Sequence, residues 1–145
     1  ETIQYLPHRV ELNRVLLLLS INQYENAYRV VAKLEQLPDL NVEIKSDLKV
    51  AEMMILIMQD AKQRGEIATT VYNSVRTKKG QDFYKVFAKL AEELSSWSKR
   101  SWQGQIEEKH MKHVRAMEEH ADPKKPFHQF YLRWVKDILK GKYGG

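Results

Sequence analysis

A chain of 145 residues normally forms one domain with room for a real core. With 43% hydrophobic and 30% charged residues it belongs with folded globular proteins, not disordered ones. No apolar run approaches the roughly 18 residues that a membrane span needs, so no membrane attachment is expected. Zero cysteines exclude disulfides, cysteine nucleophiles and thiolate metal sites, which suits an intracellular protein. The chain begins at Glu1 instead of Met, as a trimmed or processed product would, and no targeting segment is visible within it.

The net charge is +5, and it is unevenly placed. Residues 1–98 carry 13 Lys/Arg against 13 Asp/Glu, whereas residues 99–145 carry 11 against 6, so the second stretch holds the whole excess. A basic block favours phosphate, anionic membrane or acidic peptide. Here the cations alternate with acids, as they do on a solvated helical face.

Pro7 is expected as the first residue of a helix, where a missing N–H is harmless. Val10, Leu12, Val15, Leu16 and Leu19 then give an apolar face, and the helix stops near Ser20. A second helix starts at Asn22 or Gln23, with Tyr24, Ala27, Tyr28, Val31 and Leu34 at helical steps, and Pro38 ends it. Leu40, Val42 and Ile44 read as a turn of helix or an extended link that pins Val42 into the core. Ser46 then suits an N-cap and Asp47 the first turn of the next helix.

That helix, around Leu48–Met58, is the only helix-length segment that reads as apolar nearly all round, so it has to be wrapped by the others. Gly65 is expected to close it, with Lys62 and Arg64 complementing its C-terminal end. A shorter helix follows, with Ile67, Val71, Tyr72 and Val75 inward. Gln81 to Arg100 carries the stripe Phe83, Val86, Phe87, Leu90, Leu94 and Trp97. Ile106 to His120 is highly charged, Asp122-Pro123-Lys124-Lys125-Pro126 is a linker, and Phe127, Phe130, Tyr131, Trp134, Val135, Ile138 and Leu139 make a last amphipathic helix. Intramolecular docking of that helix is the default, because its aromatic face would otherwise be exposed.

The pattern Leu34-x-x-Leu37, Pro38, Leu40, Val42, Leu48, Met54-Ile55, Ile67-Ala68 and Val71-Tyr72-x-x-Val75 resembles the N-terminal domain of transcription elongation factor S-II. It is similar above all to the integrase-binding domain of the lens-epithelium-derived growth factor family. The likeness covers roughly residues 10–79. It implies a helical scaffold without catalysis that binds short peptide motifs of transcription and chromatin factors at interhelical loops, in the nucleus. By position, Ile21, Asn22 and Gln23 in one loop and Arg64, Gly65 and Glu66 in another would face the peptide. The second loop lacks the aromatic residue of the growth-factor relatives, and residues 80–145 have no counterpart.

Chemical signatures are few. Glu107-x-x-His110 has the spacing of carboxylate-bridged di-iron bundles, but such a site needs a second copy and the sequence has none. Zinc held by His110, His113 and a third ligand has no recognisable spacing. The plainer reading of this segment is a solvated helix with pairs such as Glu108 and Lys112. No serine-centred turn or Gly-rich phosphate loop is present. A helix-turn-helix at Ala61, Gly65 and Val71 is opposed by the charges of Arg64 and Glu66. The rival to peptide binding is nucleic-acid binding through Lys99, Arg100, Trp102, Lys109, Lys112, Arg115, Lys124, Lys125 and Arg133, where cations alternate with aromatic rings.

The expected protein is therefore all-α, a single compact bundle of six to seven helices around Leu48–Met58. Residues 1–80 form the core bundle and 81–145 the helices packed on it, in one domain. Its expected role is non-enzymatic, with no catalytic residue, metal or cofactor. Its partner is a short peptide or another subunit, with nucleic acid as the alternative.

Overall fold

The computed structural model describes residues 2–38, 40, 42–96 and 108–139, and the side chains of residues 2–9, 42, 43, 138 and 139 fall outside that description. Seven helices make up the described residues: α1 (Thr2–Ser20), α2 (Tyr24–Glu35), α3 (Val42–Met58), α4 (Arg64–Val75), α5 (Asp82–Leu94), α6 (Glu108–His120) and α7 (Pro126–Leu139). There is no strand among them. The all-α bundle expected from periodicity is the fold.

α3 is the buried axis. Leu48, Val50, Ala51 and every residue from Met53 to Met58 are shielded from solvent, and Ile55 and Ile57 are fully covered. Burying each such large side chain stabilises the fold by about 1.5–3 kcal/mol. A single apolar cluster draws residues from all seven helices. α7 docks on its own chain: Phe127, Tyr131, Trp134 and Val135 are buried. Its rings interleave with those of α5, Phe87 lying 5.0 Å from Tyr131 and 5.9 Å from Trp134 between centroids. The Trp134 indole N–H donates to the Met58 thioether at 3.2 Å, tying α7 to the end of α3.

Helix ends depart from the expected ones. α1 begins at Thr2, so Pro7 lies inside it and not at its start; proline's fixed φ is helical, but past the first turn its missing N–H costs the helix one bond. α3 begins at Val42, a full turn before Ser46, which is therefore an interior residue and not a cap. α3 also stops at Met58, well short of Gly65, which is instead the second residue of α4. The stop is made by Asp60, whose φ of 51° is left-handed. Around it the Ala61 N–H donates to the Leu56 carbonyl at 2.9 Å and the Asp60 N–H to that of Ile57 at 3.1 Å. This is the paired 6→1 and 5→2 pattern that satisfies the last carbonyls of a helix. α5 ends at Leu94, before the expected Arg100; Trp97 to Arg100 lie outside the described residues, as do Ile106 and Glu107.

α1 is not one-sided. Leu12, Val15 and Leu19 are buried, but Val10 is 64% exposed, and Leu17 (62%) and Ile21 (57%) lie out with it. At 100° per residue these three fall opposite Leu12, Val15 and Leu19, so Val10 belongs to the outer stripe and not to the core face.

Candidate functional site: the cleft beside the first interhelical loop

The loop after α1 has the same backbone as the loop after α3. The Gln23 N–H donates to the Leu18 carbonyl at 2.8 Å and the Asn22 N–H to that of Leu19 at 3.1 Å. Asn22 sits at φ 61°. Asparagine and aspartate tolerate this region better than other non-glycine residues, which is why Asn22 and Asp60 occupy the two positions. The Asn22 carbonyl Oδ1 accepts the Tyr24 hydroxyl at 2.9 Å. Its Nδ2 has no partner among the described residues. Gln23 is turned along α2, its Oε1 accepting from Asn26 Nδ2 at 3.0 Å.

Beside this loop lies a cleft of about 160 Å³. Its floor is Leu19, Met54, Phe130 and Trp134, and its polar rim includes Asn22, Tyr24, Arg133 and Asp137. One wall is thus the α1–α2 turn and the other is α7. Ile21 stands exposed next to Ser20 and Asn22, which line the cleft. Arg133 is exposed and enters no ion pair among the described residues.

The second expected loop is arranged differently. The Arg64 guanidinium folds back, its Nη1 donating to the Ala61 carbonyl at 2.8 Å and the Asp60 carbonyl at 3.2 Å. It therefore caps the end of α3, a position that favours a cation. Glu66 is exposed and lines a separate, open groove between α4 and α5, together with Thr69, Glu92 and Ser95. There the Thr69 hydroxyl donates to Glu92 at 2.7 Å. The cleft brings together Asn22 and Arg133, which belonged to different expected surfaces; Glu66 lines neither wall of it.

Of the cations considered for nucleic acid, Lys99, Arg100 and Trp102 lie outside the described residues. Lys109, Lys112 and Lys124 are exposed and Lys125 is half-buried. Arg115 pairs with Glu108 at 2.9 Å, two turns away along α6, so Glu108 takes Arg115 as its partner where Lys112 was expected. Lys124 and Lys125 flank the start of α7, while Arg133 lies about 10 Å further along it by helix rise.

Polar groups elsewhere in the core hold helices together. The Glu93 carboxylate of α5 lies 3.1 Å from Nε2 of His110, fully buried, and 3.4 Å from Nε2 of His113, both on α6. No group of three His, Cys, Asp or Glu among the described residues is placed to hold a metal ion. Asp47 of α3, buried, accepts a hydrogen bond from the Tyr84 hydroxyl of α5. His128, stacked on Phe83 at 4.1 Å, accepts the Asp122 N–H on its Nδ1 at 3.1 Å and so fixes the turn into α7. Burial, and then the charge of Asp47, push the Tyr131 hydroxyl well above the ordinary tyrosine range. On the other side of α3, Lys49 bridges Glu35 at 3.1 Å and Glu52 at 3.5 Å. Desolvation, followed by the neighbouring Glu35 charge, raises the Glu52 carboxyl above its ordinary value.

The sequence did not single out Met54 and Asp137 as site residues, and it placed Phe130 and Trp134 on the aromatic stripe of the last helix without joining them to the first loop. The alternating aromatic stripe of α7 was the available signal, since a docked helix of that kind must border whatever it meets.

The chain matches no protein-family model, no curated protein and no solved structure. No helix among the described residues is long and apolar enough to cross a membrane.

Proposed function

We propose that this chain is a non-enzymatic helical interaction module that receives a short peptide of a partner protein at the α1–α2 loop. The observation that carries the reading is the outer apolar stripe of Val10 (64% exposed), Leu17 (62%) and Ile21 (57%), which ends at the α1–α2 loop. Three exposed apolar side chains on one face, ending at a loop that borders a cleft with an apolar floor, make a contiguous surface of the kind a partner covers. The resemblance of residues 10–79 to peptide-reading domains of transcription and chromatin factors adds the partner class and a nuclear location to the proposal. Nucleic-acid binding is less well supported by the charges: Arg115 and Lys136 are engaged by Glu108 and Glu118, and Lys124 precedes α7 while Arg133 lies about two turns into it.

Capture from cell extract by immobilised wild-type chain and by Ile21→Asp tests this. A protein retained by the wild type and lost with Ile21→Asp supports it; equal retention by both overturns it. Oligonucleotide titration at two salt concentrations is the companion measurement. Salt-sensitive binding abolished by charge reversal at Lys124, Lys125 and Arg133 would establish the nucleic-acid reading instead.

A further inference from the structure

The cleft has two properties that rarely suit one side chain. Its floor of Leu19, Met54, Phe130 and Trp134 asks for an apolar group, and its volume is about 160 Å³. That is close to the apolar cavity of about 150 Å³ that holds one benzene molecule, so a single aliphatic side chain fills it. Yet its rim carries an exposed guanidinium without an ion-pair partner among the described residues, Arg133. The Asn22 amide Nδ2, also without a described partner, stands on the same rim. A planar guanidinium fork and an amide donor together suit a carboxylate. Among the ordinary amino acids, aliphatic side chains carry no carboxylate, and Asp and Glu offer little to an apolar floor. The last residue of a polypeptide has both an aliphatic side chain and an α-carboxylate, joined at one carbon.

We infer that the cleft binds the free C-terminal residue of a partner chain, with its aliphatic side chain on the floor and its carboxylate on Arg133 and Asn22. Asp137, one turn beyond Arg133, lines the same cleft and opposes that carboxylate with a like charge, which Arg133 and Asn22 must outweigh. Recognition of this kind makes α7 part of the binding surface, with Arg133 the residue that selects the charged end. The inference rests on the interaction-module reading and narrows it to one peptide chemistry.

The test uses the full chain and three short probes: acetyl-Ser-Gly-Ser-Leu with a free carboxylate, the same peptide as its amide, and a doubly capped peptide with Leu-Asp in its interior. Binding is followed by amide chemical shifts of Asn22 and Arg133 and by the Trp134 indole resonance. The free acid should bind about tenfold or more tightly than either of the others, and Arg133→Gln should reduce it to the level of the amide. Arg133 is exposed, so this variant should keep the wild-type helical spectrum. Asn22→Gly keeps the turn and should weaken the acid by a smaller factor. Equal binding of acid and amide, equal binding of the internal Leu-Asp peptide, or no binding of the acid at about 10 mM would each overturn the inference. Ile21-dependent capture of a protein would survive any of these results, which separates failure of this inference from failure of the module reading.

Discussion

At the end of α1 the Gln23 N–H returns to the Leu18 carbonyl while Asn22 turns left-handed; at the end of α3 the Ala61 N–H returns to Leu56 while Asp60 turns left-handed. The two backbones are alike, but the side chains around them are used differently. After α3, Arg64 is drawn back onto the carbonyls of Asp60 and Ala61, and its donors serve the helix that precedes it. After α1 no cation folds back; Ile21 stands in solvent and Asn22 keeps an amide for the cleft. The difference shows that the turn alone does not make a cleft. The α1–α2 loop borders one because α7 supplies the facing wall with Phe130, Arg133 and Trp134.

Removing that wall should have the largest effect. Trp134→Ala takes away a buried ring in contact with Phe87 and Met58, and urea unfolding should show a loss of about 3–5 kcal/mol. A loss under about 1 kcal/mol would mean that α7 is not seated as described. The turns come next. Asn22→Ala and Asp60→Ala each force a Cβ-bearing residue without a local side-chain hydrogen bond into the left-handed region and should each cost about 1–2 kcal/mol. The glycine variants should stay near wild type. Unequal stability losses in the two alanine variants would break the likeness of the backbones, whereas a peptide-binding defect in the Asn22 variant alone would sharpen the contrast in use.

The smallest effect lies away from both loops. The Glu52 carboxyl is raised by burial and then by Glu35, so the folded chain holds its proton to higher pH than the unfolded chain does. Stability should therefore fall as pH rises from the ordinary glutamate value of 4.5 through the raised one. Glu52→Gln should remove that decline while leaving both loops unchanged, as seen in thermal melts across the acid range. A variant melting curve with the same pH slope as wild type would exclude Glu52 as its source.

The elements that the sequence made legible are those whose burial pattern had one answer. Leu48–Met58 is apolar on every side, and only an interior position satisfies that. Phe127, Tyr131 and Trp134 are too large for solvent and share a stripe, so the last helix had to dock. Helix ends were less legible, because they depend on single residues with weak preferences. Gly65 looked like the stop for α3, yet Asp60 does that work, since an Asx residue with its local hydrogen bonds can replace glycine in the left-handed region. Val10 was misplaced because α1 carries apolar residues on an outer stripe as well as an inner one, and period alone does not choose between them. The cleft was half legible: Ile21 and Asn22 followed from the resemblance, but their pairing with Arg133 depends on the tertiary docking of α7.

The position of α7 in the chain has a consequence for how the protein is made. Met58, Phe83 and Phe87 belong to α3 and α5, but the rings that cover them come from residues 127–135. A ribosome therefore completes α1 to α6 while one side of the central helix still lacks its cover. Through that interval the nascent chain displays the side of α3 and α5 that attracts chaperones and neighbouring chains. The cleft beside Asn22 has no second wall until α7 has been made.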